Sequence, residues 1–311
     1  MKLDDFRKKI DVIDRGLVEA FEERMRAAEK IAEYKRDNGL PVDDRRRERE
    51  LLDKIAGISS PDLAGYNRIL FSSLMELSKD HQRKFNSAES EMTRRIKKAL
   101  AETPAQFPET AVIACQGVSG AYSQAAADRM FKIPKIMLVR NFEGVFAAIG
   151  SGLCRYGILP LENSIAGSVN RVYDLMTEYN FHIVRSIRMQ VNHCSLECLE
   201  TGTQDYTNNY TRFICISKDL EIYPGADRTS LMMTLEHKPG ALYSVLARFN
   251  AMGINLEKLE SRPILGRDFE FMFYFDISES VYSDAFPRLI DQLGGMCREF
   301  RYLGSYVEVQ V

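Results

Sequence analysis

Residues 6–35 decide the first third of the fold. They open Phe6-Arg7-Lys8-Lys9-Ile10-Asp11-Val12-Ile13-Asp14, pass through Glu23-Arg24 and reach Lys35. Phe6, Ile10, Ile13, Leu17, Phe21, Met25, Ala28 and Ala32 recur every three or four residues, the period of one long amphipathic helix. Arg24 and Lys35 stand eleven residues apart, about three turns, so both cations fall on nearly the same face. Two aligned cations on a helix that already has a core face suit a pocket for a small anion. Arg7 lies seventeen residues before Arg24, roughly a quarter turn away at about 100° per residue. It shares that pocket only if it comes from another subunit.

Gly39-Leu40-Pro41 ends this helix near residue 38, because proline removes a donor and biases its predecessor away from helix. Asp43 or Asp44 can cap a second helix running to about 58. Ser59-Ser60-Pro61-Asp62 starts a third, from about 63 into the nineties. The apolar stripes of this long–short–long unit exceed what three helices can bury, so a dimer is expected. Asp44, Arg47 and Glu48 fall at i, i+3, i+4 on the second helix, and Ser78 and Gln82 at i, i+4 on the third. With Arg7, Arg24 and Lys35 they suit a dicarboxylate carrying ether and hydroxyl oxygens, since the arginine fork binds carboxylates bidentately. Arg45, Arg46 and Arg49 of the same run read as solvated surface.

These residues, over nearly all of 1–90, resemble the all-helical chorismate mutase family. The resemblance implies an intertwined dimer in which Arg7 reaches the partner's pocket. It implies a pericyclic rearrangement of chorismate that needs neither a nucleophile nor a proton transfer. By the same resemblance Arg7, Arg24 and Arg47 hold the two carboxylates, and Lys35 and Gln82 contact the ether oxygen. Asp44 (largely through its backbone), Glu48 and Ser78 serve the ring hydroxyl or a carboxylate.

Residues 101–109, rich in proline, read as a linker, and the period then changes. Ala111-Val112-Ile113-Ala114-Cys115 and Arg155-Tyr156-Gly157-Ile158-Leu159-Pro160 read as strands, with helical segments near 121–131, 141–150 and 168–179. That alternation predicts a parallel α/β sheet. Gly117-Val118-Ser119-Gly120 after a strand is weak evidence for a phosphate loop, and no Lys-Ser/Thr follows it. Leu159-Pro160-Leu161-Glu162-Asn163-Ser164 and Asn208-Asn209-Tyr210-Thr211-Arg212-Phe213, with Gly120-Ala121-Tyr122-Ser123, resemble prephenate dehydratase. That resemblance implies loss of water and carbon dioxide from prephenate, with Thr211 as the catalytic residue and Asn163 and Ser164 lining the cleft.

Two departures from that family stand out. His193-Cys194 and Thr211 are eighteen residues apart, so several dozen residues of a second lobe are missing; 197–203 can form a turn but not a lobe. Arg185 stands where the family usually carries a glutamate. A site between two lobes needs both walls to exclude water. Loss of the lobe therefore predicts dehydratase activity lowered by orders of magnitude.

From about 229 a third texture begins: strands over 230–235, 254–261, 270–277 and 298–309, and helices over 240–251 and 283–293. Strand-helix-strand-strand-helix-strand is the ferredoxin-like order. Pro239-Gly240-Ala241-Leu242 and Glu260-Ser261-Arg262-Pro263 resemble the regulatory ACT domain that binds phenylalanine. The amides of Gly240, Ala241 and Leu242 open a helix and suit a carboxylate. Asn255 and the backbone near Glu260 and Ser261 are the candidates for the amine, and the resemblance implies feedback inhibition.

The whole chain then reads as an all-α mutase domain (1–100), a linker, a shortened α/β dehydratase-like domain (110–220) and an α+β ferredoxin-like ACT domain (228–311). With 311 residues, 45% of them hydrophobic, it is long enough for two or three cores. The net charge of −2 supplies no basic field for nucleic acid, and no apolar run reaches a membrane span. Six scattered cysteines predict free thiols, no metal and a cytoplasmic protein, and no cofactor is called for. The expected partners are chorismate, prephenate, phenylalanine and further copies of the chain, as a homodimer or a dimer of dimers. Two alternatives stay open: a phenylalanine-regulated mutase with an inactive dehydratase, and an amino-acid sensor without catalysis.

Overall fold

The computed structural model describes residues 3–41, 44–86, 89–191, 209–264, 267 and 270–309, with backbone alone at 45, 80 and 83–86. Asp43, Asn208, His193-Cys194 and the turn expected over 197–203 lie outside the described residues. The chain forms two compact units, Met1–Ser90 and Glu91–Val311.

The first unit is three helices, α1 (Leu3–Asp37), α2 (Arg45–Ile58) and α3 (Ala64–Asn86). Asp44 caps α2, its carboxylate accepting from the Arg47 amide at 3.0 Å. Arg24 Nη1 donates to the Leu74 carbonyl at 3.0 Å, and His81 Nε2 lies 2.7 Å from Glu29 Oε1, so α1 and α3 run side by side in the same direction. The apolar stripe of α1 is covered only in its second half. Met25, Ala28 and Ala32 are buried, whereas Phe6, Ile10, Ile13 and Leu17 are 50 to 58% exposed.

The third helix does not continue into the nineties. A separate helix α4 (Glu91–Glu102) belongs to the second unit, and its stripe explains why. Ile96 and Ala99 share a core with Phe286, Leu289 and Leu293, and Thr93 Oγ1 donates to Asp291 Oδ1 at 2.5 Å. The segment read as a linker also packs: the Phe107 ring lies 4.9 Å from that of Phe131 and 4.8 Å from that of Tyr223.

Within the second unit β1 (Thr110–Gln116) pairs in parallel with β2 (Ile133–Val139) and β3 (Tyr156–Asn163). Helix α5 (Tyr122–Met130) packs on the face of Ile113, Cys115, Tyr156 and Ile158. Helices α6 (Phe142–Gly150) and α7 (Asn170–Tyr179) pack on the opposite face, around Ala114, Leu159 and Leu161. The short strand β4 (Gly167–Ser168) pairs with the end of β3. The sheet is not parallel throughout. Strands β5 (His182–Gln190) and β6 (Tyr210–Ser217) pair antiparallel, which needs no crossover helix, and β6 then lies antiparallel to β3.

The remaining elements are β7 (Arg228–Thr234), α8 (Ala241–Ala251), β8 (Asn255–Pro263), β9 (Phe271–Ser278), α9 (Phe286–Met296) and β10 (Glu299–Val309). Their antiparallel order β10-β7-β9-β8 is the expected ferredoxin-like one. The two halves that the sequence separates near 220–228 share one ten-stranded sheet. Val307–Val309 of β10 pair in parallel with Arg185–Ile187 of β5. Gly304 permits the approach: its φ is +143°, and a Cβ there would sit 2.2 Å from the Ile183 carbonyl oxygen. Gly304→Ala is expected to destabilise the second unit by about 3 kcal/mol, lowering its melting by roughly 10 °C. Calorimetry checks this; an unchanged transition would mean that β10 does not lie this close to β5. Among the described residues no helix is long and apolar enough to cross a membrane.

Candidate functional sites

In the helical unit the cations at Arg24 and Lys35 are both half-buried, as the helical phase predicts. Burial lowers the Arg24 pKa from its ordinary value, yet a guanidinium stays charged. Helix α3 contributes Ser78 and Gln82, each 7% exposed, and the Gln82 Oε1 atom is buried without a hydrogen-bond partner. Because the ends of an amide are exchangeable, Gln82 can present a donor or an acceptor to a ligand there.

Lys79, absent from the candidates above, is 8% exposed and lies 3.2 Å from Glu48 and 2.5 Å from Glu76. Burial alone would lower its pKa; the hydrogen bonds and charges of Glu76 and Glu48 outweigh that and raise it. The i, i+3 spacing of Glu76 and Lys79 was the available signal. Two predicted residues stand apart from this cluster. Arg47 is 71% exposed in its side chain and pairs with Glu50, and Arg7 is 67% exposed and pairs with Asp4. Arg7 is about 25 Å along the helix from Arg24 at 1.5 Å per residue. Asp44 is occupied as the α2 cap.

In the sheet unit Asn163 and Thr211 are register partners across β3 and β6. Asn163 Oδ1 accepts from the amides of Ile165 (2.9 Å) and Ala166 (2.8 Å), which fixes the orientation of its carboxamide. Its Nδ2 therefore donates twice, to Asn209 Oδ1 at 2.6 Å and to Thr211 Oγ1 at 2.8 Å. Thr211 Oγ1 accepts that bond and keeps its own proton for another acceptor. Ser164 Oγ accepts from the Tyr210 amide at 3.0 Å, which ties the loop after β3 to the start of β6. Asn209, two residues before Thr211 in the same motif, is the second anchor of Asn163. The loop after β1 and the loop after β3 leave the carboxyl end of the parallel strands, where open α/β sheets bind ligands. Arg185 points elsewhere: it donates to the Met130 carbonyl at 2.9 Å and lies 4.1 Å from the Phe107 ring centre.

In the ferredoxin-like half Gly240 opens α8 at φ +83°, a left-handed conformation that favours glycine. The Ala241 amide is already used, donating to the Lys238 carbonyl at 3.2 Å. A shallow groove beside this turn is lined by Leu235, His237, Ala241, Leu242, Phe271 and Phe273. The other predicted effector residues do not converge on it within one chain. Asn255 begins β8 and stands about 26 Å from the Pro263 end at 3.3 Å per residue. Asn255 and Ser261 are both exposed, but β8 bulges between Leu256 and Lys258, so the register puts them on opposite faces; Glu260 accepts from Ser168 Oγ at 3.0 Å. The described cysteines Cys115, Cys154, Cys215 and Cys297 are free thiols. Among the described residues no group of three or more metal-ligating side chains is present.

Residues 6–83 match the type II chorismate mutase family and residues 113–196 match the prephenate dehydratase family. The bifunctional chorismate mutase/prephenate dehydratase of Aquifex aeolicus is 25% identical over 373 positions, covering 98% of this chain and 98% of that protein. An arogenate dehydratase/prephenate dehydratase of Arabidopsis thaliana is 27% identical, covering 62% of this chain and 72% of that protein. The crystal structure of prephenate dehydratase from Streptococcus mutans superposes with a TM-score of 0.54 at 27% identity, over 64% of this chain and 99% of that one. The 373 aligned positions exceed the 311 residues present here by dozens, in keeping with a shortened chain. With a helical mutase unit ahead of a dehydratase unit, the chain belongs to the bifunctional chorismate mutase/prephenate dehydratase family.

Proposed function

We propose that the helical unit rearranges chorismate to prephenate and that the sheet unit converts prephenate to phenylpyruvate, two consecutive steps toward phenylalanine. The observation that carries the second step is the Asn163–Thr211 hydrogen bond, which leaves a hydroxyl proton available at the mouth of the sheet. Decarboxylation pushes electrons into the ring as the ring hydroxyl leaves. That hydroxyl departs as water only if it gains a proton, and in this reading Thr211 directs one to it. The first step needs no proton. It needs a compact conformer, which Arg24 holds through a carboxylate, and donors at the ether oxygen, which Lys35 and Gln82 supply.

The half-exposed stripe Phe6, Ile10, Ile13 and Leu17 supports a dimer, and a second chain is also what brings Arg7 to the pocket of Arg24. The ferredoxin-like half acts as an ACT domain, with the groove at Gly240 and Leu242 receiving phenylalanine as feedback inhibitor. Asn255 and the backbone near Glu260 and Ser261 serve that site from a second chain, in a dimer or dimer of dimers. The protein works in the cytoplasm.

One assay pair tests the proposal: chorismate consumption and phenylpyruvate formation by the purified chain, with and without phenylalanine. Both products form, and phenylalanine slows the second. The shortening between β5 and β6 favours a second reading, a mutase that releases prephenate unconverted. Prephenate accumulating at the rate of chorismate loss would select that reading.

A further inference from the structure

We infer that Lys258 and Asp276, on strands of the ferredoxin-like half, are positioning residues for Asn163 and Thr211. The inference rests on the dehydratase reading above. Side chains alternate along a strand, so the register pair Asn163–Thr211 faces one side of the sheet and the adjoining pair Glu162–Arg212 faces the other. Lys258 and Asp276 are themselves register partners across β8 and β9.

The two pairs meet face to face inside the second unit. Lys258 Nζ is 2.5 Å from Glu162 Oε2. Arg212 Nε is 2.9 Å from Glu162 Oε1, close enough for an ion pair though out of line for a hydrogen bond. Arg212 Nη2 donates to Asp276 Oδ2. Lys258, Glu162, Arg212 and Asp276 thus alternate in sign along one chain of contacts. Arg212 is 3% exposed and Asp276 is 7% exposed. The Ser168 hydroxyl accepts from Lys258 at 2.9 Å, and the Ser230 hydroxyl donates to Asp276.

Stability alone does not account for four charges here. The surroundings are apolar, with Leu161, Ile214, Met272 and Tyr274 in one core, and well-packed apolar side chains in place of a buried ion pair are often neutral or stabilising. What the charges add is a single permitted arrangement, since displacing Arg212 or Asp276 leaves the other as an uncompensated buried charge. Glu162 and Arg212 are each one peptide away from a site residue. Fixing them fixes the tilt of Asn163 and Thr211 on the other face.

The test uses the full chain carrying Lys258→Met, Lys258→Arg or Asp276→Asn. Expected for Lys258→Met and Asp276→Asn is a roughly thirtyfold fall in dehydratase kcat with KM within about threefold, the signature of misplaced groups rather than lost binding. Lys258→Arg, which keeps the charge, stays within about threefold of the unmodified kcat. Chorismate consumption by the helical unit is unchanged in all three. The chain has no tryptophan, so near-ultraviolet circular dichroism reports its tyrosines and shows whether each variant is folded. Lys258→Met, at the rim of the set, serves if Asp276→Asn does not fold. A kcat within twofold for the folded variants, while the unmodified chain converts prephenate, overturns the inference and leaves the dehydratase reading standing. So does a kcat that falls only in step with the tyrosine signal. No phenylpyruvate from the unmodified chain removes both.

Discussion

Thr211→Val makes phenylpyruvate at least about a hundredfold more slowly than the unmodified chain, while chorismate disappears at the unmodified rate. Valine keeps the β-branched shape that the strand favours, so the backbone of β6 has no reason to move. What is lost is one oxygen. Both Asn163 Nδ2 protons are committed in the unmodified chain, one to Asn209 and one to Thr211, because the Asn163 carbonyl is held by two backbone amides. Valine strands one of those protons, at about 1–3 kcal/mol if no water replaces the hydroxyl. It also removes the only proton that this pair can offer a departing hydroxyl. Loss of a single preorganised donor lowers kcat by about 10² to 10³ in other enzymes, which sets the expected size. Thr211→Ser retains the oxygen and is expected to keep most of the rate. Initial rates of phenylpyruvate formation at saturating prephenate check both variants, and Thr211→Val turning over within threefold of the unmodified chain would remove Thr211 from the chemistry.

The candidate residues Asn163 and Thr211 are legible in the sequence, whereas Lys258 and Asp276 are not. Asn163 and Thr211 stand in short motifs beside strands, and motif and strand together point to a cleft. Asp276 and Lys258 carry no such signal. On an alternating strand each reads as a solvent-facing charge, and only the partner pair Glu162 and Arg212, more than sixty residues away, buries them. Strand β5 carries no clear strand pattern for a related reason. His182, Arg185 and Arg188 interrupt its apolar run, yet β6 on one side and β10 on the other pair with it. His182 is 3% exposed, and burial together with the Arg95 charge lowers its pKa to about 4, so it sits there as a neutral ring. The union of β10 with β5 is non-local and depends on Gly304, a residue that looks like any other glycine in the sequence. Helix α1 is the opposite case. Its period is local and long, and it fixes which face is apolar before any partner is known. The period could not say how much of the stripe one chain covers. The structure answers that with Met25, Ala28 and Ala32 buried and the eight residues from Phe6 to Ile13 largely open.

Arg24→Ala abolishes chorismate consumption to within about a thousandth of the unmodified rate and leaves phenylpyruvate formation from added prephenate intact. Two properties of Arg24 set this size. It is half-buried, so its charge acts on a ligand through less water than the exposed Arg7 or Arg47, and electrostatic effects grow as the local dielectric falls. Its guanidinium is also already held in place, with Nη1 on the Leu74 carbonyl at 3.0 Å, so little side-chain freedom remains to be lost when a carboxylate docks. A thousandfold loss corresponds to about 4 kcal/mol of transition-state stabilisation, the range for one buried, charge-assisted bidentate contact and the orientation it enforces. Arg24→Lys is expected to recover only part of the rate, because an ammonium cannot keep the Leu74 bond and grip a carboxylate with a planar fork as well. Arg47→Ala is expected to act differently. Its side chain lies largely in water in a single chain, so its effect falls mainly on KM unless a second copy of the chain or the bound ligand draws it inward. Measuring kcat and KM for chorismate in Arg24→Ala, Arg24→Lys and Arg47→Ala separates these roles. Equal kcat in Arg24→Ala and the unmodified chain would place the reaction away from the face that Arg24 shares with Lys35.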